Sequence, residues 1–136
     1  MSDTFEVVAG AGTLRSPDAS ATHFPHRWTD GGVTVCALFT GAHLLHLSVA
    51  GCVLNDVFRE AGALGIAVDG VRVTARGGFD TQSWASTGIE YSVEVASGAQ
   101  PAEVDRLLAH VERVAEIPRA IASGAPVRRV EQPPSL

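Results

Sequence analysis

Apolar and polar positions along the chain follow two rhythms. Over residues 41–62, GAHLLHLSVAGCVLNDVFREAG, apolar side chains return every three to four residues, the period of an amphipathic helix. His43, Leu47, Ala50, Leu54, Val57, Phe58 and Ala61 share one side and form the predicted core stripe. Elsewhere the period is two. Residues 33–39, VTVCALF, set Val33, Val35, Ala37 and Phe39 on one face and Thr34, Cys36 and Leu38 on the other. Val71, Val73 and Ala75 alternate with Arg72, Thr74 and Arg76, a half-buried strand. Residues 88–96, GIEYSVEVA, turn Ile89, Tyr91, Val93 and Val95 inward and Glu90, Ser92 and Glu94 outward. Residues 4–9 read as a further strand, and residues 21–28, ATHFPHRW, as an edge strand because of their proline. The TDGG that follows is a hairpin signal.

Glycine, serine and proline mark residues 9–20 as loop. A second helix opens near Pro101, with Val104, Leu107, Leu108, Val111, Val114 and Ala115 as its stripe. Pro118 is expected to interrupt it, residues 119–123 to add a turn ending at Gly124, residues 126–130 to return as a short strand, and residues 131–136 to fray. The predicted order is β-β-β-α-β-β-α-(α)-β. This is an α+β fold in one domain over residues 1–136, with residues 1–20 partly loop.

Composition narrows the function classes. Of 136 residues, 46% are hydrophobic and 18% charged, which suits a packed core and not a disordered chain. The net charge of −5, with scattered arginines and no basic run, argues against a nucleic-acid surface. Every basic side chain among the ten is arginine, so lysine Schiff-base chemistry is excluded. The polar start and the lack of a membrane-length apolar run lead to the expectation of a cytoplasmic protein with no membrane association. In that compartment the two cysteines are expected as free thiols.

The long helix carries Cys52 in its middle. Leu45, Ser48, Val49, Asn55, Asp56 and Arg59 fall on the same side, so a thiol, a hydroxyl, an amide, a carboxylate and a guanidinium gather within about two turns. Such a face suits a cleft or a partner. Arg59 can lean back toward Cys52 and favour its thiolate, whereas Asp56 opposes this and can pair with Arg59. The competing reading is a small buried thiol beside an ordinary surface ion pair. His43 and His46 are candidate pocket residues and general bases, but no third ligand completes a set with any of the five histidines, so no metal and no cofactor are expected. Trp28, Phe79, Trp84 and Tyr91 are candidate walls of an apolar pocket.

Residues 41–79, GAHLLHLSVAGCVLNDVFREAGALGIAVDGVRVTARGGF, with VERVAEIPRAI at 111–121, resemble the OsmC/Ohr family: a long helix with a mid-helix cysteine, an LGI turn, a strand, and a C-terminal helix–proline element. The resemblance spans roughly residues 30–127. It implies an intertwined homodimer with the long helices at its centre and active sites at the subunit interface. It also implies reduction of organic hydroperoxides by one cysteine, with a second cysteine resolving the sulfenate and an Arg and a Glu orienting the first. Cys52 matches the attacking cysteine. The resolving position is Ile117 and the Glu position Ala42, so both groups are missing, and the arginine is sought at Arg27 or Arg15. Turnover would then require an external thiol or Cys36. Three functions compete: thiol-dependent hydroperoxide reduction in an oxidative stress response; a descendant that uses the interfacial pocket to bind or transform an apolar small molecule; and a non-catalytic stress or interaction protein.

Overall fold

The computed structural model describes residues 4–132, as five strands and three helices: β1 (Phe5–Gly12), β2 (Thr22–Phe24), β3 (Val33–Cys36), α1 (Gly41–Leu64), β4 (Gly70–Phe79), β5 (Ser86–Ala96), α2 (Pro101–Val114) and α3 (Glu116–Ser123). The strands form one sheet in the order β2-β3-β1-β4-β5, every neighbouring pair antiparallel. The register builds continuous apolar rows. Val35, Ala9, Val73 and Val93 stand side by side, as do Val33, Ala11, Val71 and Val95. The small alanines of β1 at the middle of these rows let α1 lie close against the sheet. Val49, Ala50, Val53, Leu54, Val57 and Ala61 are buried there against Val7, Ala9, Ala11, Val71, Val73 and Ala75. Leu107 and Val111 of α2 complete the core. The other sheet face is polar, with Arg72 paired to Glu94 at 2.6 Å and Arg76 to Glu90 at 3.8 Å. Both pairs are exposed, so each adds about 1 kcal/mol at most.

Local chemistry sets the ends of α1. Thr40 Oγ1 accepts the His43 N–H at 3.0 Å, the side-chain cap expected of a threonine before a helix. Gly65 closes the helix in the left-handed region at φ 70°, and Ile66 N–H bonds back to Ala61 O at 2.9 Å. In α2, Pro101 sits in the first turn, where its missing N–H costs nothing.

Several expectations are corrected. β1 runs through Gly12, where a loop was read, because Gly12 at φ +64° turns the chain at the strand's end without side-chain strain. β3 stops at Cys36, and Phe39, expected on the inward face, is 90% exposed. The final strand expected at residues 126–130 is absent, since among the described residues that segment takes no regular structure and pairs with no strand of the sheet. The helix break falls at Ala115, three residues before Pro118, which instead lies in the first turn of α3. A break there removes the clash between the proline ring and the carbonyl one turn earlier. Of the frayed tail, residues 133–136 lie outside the described residues.

The helical wheel is also corrected. His46 and not His43 is in the core, and Val49 and Asp56 on the Cys52 side are buried. His46 lies over Gly77, a position of β4 that has no side chain to displace it. Against the reading that no apolar stretch reaches membrane length, α1 does so by length and composition alone. Its apolar stripe is used on the sheet.

The glycine positions give a stability test of opposite signs. A Cβ at Gly77 would lie 2.2 Å from the Gly88 carbonyl oxygen and 2.5 Å from His46 Nε2, while one at Gly62 would meet nothing within 4 Å. In urea denaturation Gly77→Ala is expected to cost about 3 kcal/mol by overpacking, and Gly62→Ala to add up to about 1 kcal/mol through helix propensity.

Candidate functional site around Cys52

Cys52 sits at the middle of α1 on the side turned away from the sheet, half-buried beneath the start of α3. The break at Ala115 makes this cover. Ala115 is extended (φ −64°, ψ 116°) and buried, and it redirects the chain so that the N–H groups of Ile117 and Glu116 point at Cys52 Sγ. One turn along α1, Asp56 is buried and accepts the Cys52 thiol proton, Sγ to Oδ2 3.9 Å. Its Oδ1 is held by Arg59 Nη2 at 3.2 Å. Arg59 also reaches Glu60 at 3.7 Å, and Glu60 meets His110 of α2 at 3.6 Å. Ligand atoms of Cys52, Asp56 and Glu116 all lie within 4.8 Å of one another. Val49, one turn before Cys52, and Pro118, next to Ile117, line a groove of about 340 Å³ together with Tyr91, Ile121 and the Ser86–Gly88–Ile89 end of β5.

Burial pushes the Cys52 thiol above its ordinary range. The Ile117 N–H opposes this, and the negative charges of Asp56 and Glu116 reinforce it. Burial likewise raises Asp56. Arg59 works against that, and Glu116 and Glu60 add to it. Within one chain, therefore, the thiol is held protonated beside a carboxylate that binds a proton more readily than a free one.

Most other candidates lie elsewhere. Arg27 stacks over the Trp28 ring, its guanidinium carbon 5.7 Å from the centroid, and Arg15 is bound to the carbonyls of Gly12 and Gly31 at 3.2 and 3.1 Å. Arg59 is turned to Asp56 and not to the thiol. Asn55 Oδ1 accepts from His26 Nε2 at 2.9 Å on the β2–β3 flank of the helix. Ser48 Oγ donates to the Leu45 carbonyl at 2.6 Å. His43 Nδ1 lies 2.6 Å from its cap, Thr40 Oγ1. His46 Nδ1 donates to the Ala42 carbonyl at 2.6 Å inside the core. Cys36 alternates with Val33 and Val35, which face α1, so it lies on the far face of the sheet from Cys52. Of the four aromatics, Tyr91 lines the groove, Phe79 packs with Phe5 and His46, Trp28 packs with His26, and Trp84 is 71% exposed. Glu116, Pro118 and Ile121 belong to the site and were not read as such. The signals for them in the sequence are the proline just after an apolar stripe and the VERVAEIPRAI segment that carries the family resemblance.

The family model described as OsmC-like protein matches residues 36–129. The chain belongs to the OsmC-like protein family. No curated protein sequence matches it. Two solved structures show the same fold. An OsmC-like protein from Mycoplasma pneumoniae has a TM-score of 0.56 at 13% identity, over 79% of this chain and 89% of that one. An OsmC-like hydroperoxide resistance protein from Jannaschia sp. CCS1 has a TM-score of 0.59 at 11% identity, over 93% of this chain and 91% of that one. In this OsmC-like chain the position expected for a resolving cysteine, Ile117, does lie against Cys52, but it offers a backbone N–H and no sulfur.

The electrostatics predict slow alkylation. The rate of Cys52 modification by iodoacetamide, followed by mass spectrometry, should rise with pH at a midpoint above that of an ordinary cysteine. Removing one of the negative charges that raise it, as in Glu116→Gln, should move that midpoint down.

Proposed function

We propose that this OsmC-like protein reduces organic hydroperoxides through Cys52. The observation that carries the reading is a half-buried thiol that donates to a buried carboxylate, one helical turn from Val49, which lines an apolar groove. The thiol supplies the nucleophile, and the groove, with its Val49, Ile89, Pro118 and Ile121 walls, suits the apolar part of an organic hydroperoxide. Family membership, and a structural neighbour described as a hydroperoxide resistance protein, support the same chemistry. Cys52 would be left as a sulfenic acid. With Cys36 across the sheet and isoleucine at position 117, an external low-molecular-weight thiol would restore it through a mixed disulfide.

The active unit in this reading is a homodimer. Leu38 is 68%, Phe39 90% and Trp84 71% exposed, a load of apolar surface that a second copy would cover. Phe39→Asp should then shift the chain from dimer to monomer mass in analytical ultracentrifugation. A wild-type chain already at monomer mass would overturn the dimer.

The raised thiol favours a second reading, in which the groove binds an apolar small molecule and Cys52 is inert. Cumene hydroperoxide separates the two. Dimedone trapping after brief exposure should label Cys52, leave Cys36→Ser labelled at the wild-type level, and fail with Cys52→Ser. A wild-type Cys52 that stays reduced at excess hydroperoxide gives the protein to the second reading.

A further inference from the structure

We infer that Asp56 is the proton shuttle of the Cys52 reaction, taking the thiol proton and returning it to the leaving alkoxide, with Arg59 as its positioning residue. The inference rests on the hydroperoxide reading and adds a role to it. Cys52, Asp56 and Arg59 stand on successive turns of one helix face, and the contacts run in a line: Sγ–H to Asp56 Oδ2 at 3.9 Å, Asp56 Oδ1 to Arg59 Nη2 at 3.2 Å. Asp56 is 3% exposed, so bulk water is a poor competitor for its proton. Arg59 fixes one oxygen and leaves the other to the thiol. No cation is directed at Cys52 among the described residues, so the sulfur must lose its proton to a base, and Asp56 is the carboxylate bonded to it.

The chemistry balances with these groups. As the sulfur attacks the terminal oxygen of the hydroperoxide, its proton passes to Asp56, a sulfur–oxygen bond forms and the oxygen–oxygen bond breaks. The alkoxide takes the proton from Asp56 and leaves as the alcohol. The sulfur is oxidised by two electrons to the sulfenic acid and the hydroperoxide is reduced by two, so thiol plus hydroperoxide give sulfenic acid plus alcohol. Burial raises Asp56, which brings it nearer the range useful for accepting and returning a proton. The charged and titratable groups around the pair are Arg59 and Glu60 on α1, Glu116 on α3, His110 on α2 through Glu60, and Tyr91 on β5, whose phenol is raised first by burial and then by Glu112 and Cys52.

The test uses the opposite signs of two effects. Asp56→Asn removes a negative charge beside the sulfur, so iodoacetamide alkylation, which needs only thiolate, should speed up a few-fold at neutral pH. Oxidation by tert-butyl hydroperoxide, whose alkoxide needs a proton, should fall about a hundred-fold, the lower range for lost general acid–base catalysis. Peracetic acid, whose acetate leaves unprotonated, should oxidise the variant at the wild-type rate or faster. Asp56→Glu should recover part of the tert-butyl hydroperoxide rate. If Asp56→Asn speeds alkylation and both oxidations alike, Asp56 is only a neighbouring charge and the inference falls while the hydroperoxide reading stands. If the wild type is inert to tert-butyl hydroperoxide, the reading itself falls. Where Asp56→Asn does not fold, as judged by circular dichroism, the wild type decides. Its rates across hydroperoxides of increasingly acidic leaving alcohols should vary weakly, and a steep dependence overturns the inference.

Discussion

Every feature of the thiol site depends on how α1 is seated on the sheet. The middle strand of the apolar rows carries Ala9 and Ala11, flanked by Val33 and Val35 on one side and Val71 and Val73 on the other. The helix settles into the shallow channel this makes, with Ala50, Leu54, Val57 and Ala61 at the bottom. Once that stripe is down, helical geometry leaves Cys52 pointing away from the sheet. Close packing holds that orientation, because a rotation of the helix would trade alanine for larger side chains against a surface with no spare room.

The side of α1 that the sheet does not cover is then partly closed by α2 and α3. A proline three residues into α3 forces the break between these helices to fall earlier, at Ala115, and the turn there brings two backbone N–H groups and the Glu116 carboxylate onto the sulfur. The result is an electrostatic conflict. A buried carboxylate, Asp56, and an exposed one, Glu116, converge on the half-buried thiol, with Arg59 engaged by Asp56. Burial and the neighbouring negative charges then favour the proton on Cys52. That differs from the arginine and glutamate arrangement the family resemblance led one to expect, and Ala42 and Ile117 stand where two of the expected groups would be.

Periodicity made most of the fold legible. The helix over residues 41–62, the alternation of Val71, Val73 and Ala75, the edge position of the strand near Pro25, which spans only Thr22–Phe24 and ends before the proline, the caps at Pro101 and Gly124, and the family itself were legible in residue order. The errors fell where distant segments decide. Phe39 belongs by pattern to a strand but leaves the sheet; residues 126–130 have strand character but no partner; His43 and His46 exchange places because only one of them meets the bare backbone of Gly77.

For the site, the sequence by itself determined the nucleophile and its helix-mates, because the spacing of Cys52, Asp56 and Arg59 along 3.6 residues per turn brings them to one face wherever the helix is placed. Only the tertiary structure decided what that face does. It buried Asp56, drew Arg59 to it, set Glu116 and Ile117 over the sulfur, put Cys36 beyond the sheet, and opened the apolar groove between α1, β5 and α3. Helical spacing is a local property of the chain. Burial and charge balance are sums over every segment that packs nearby, and no window of sequence contains them.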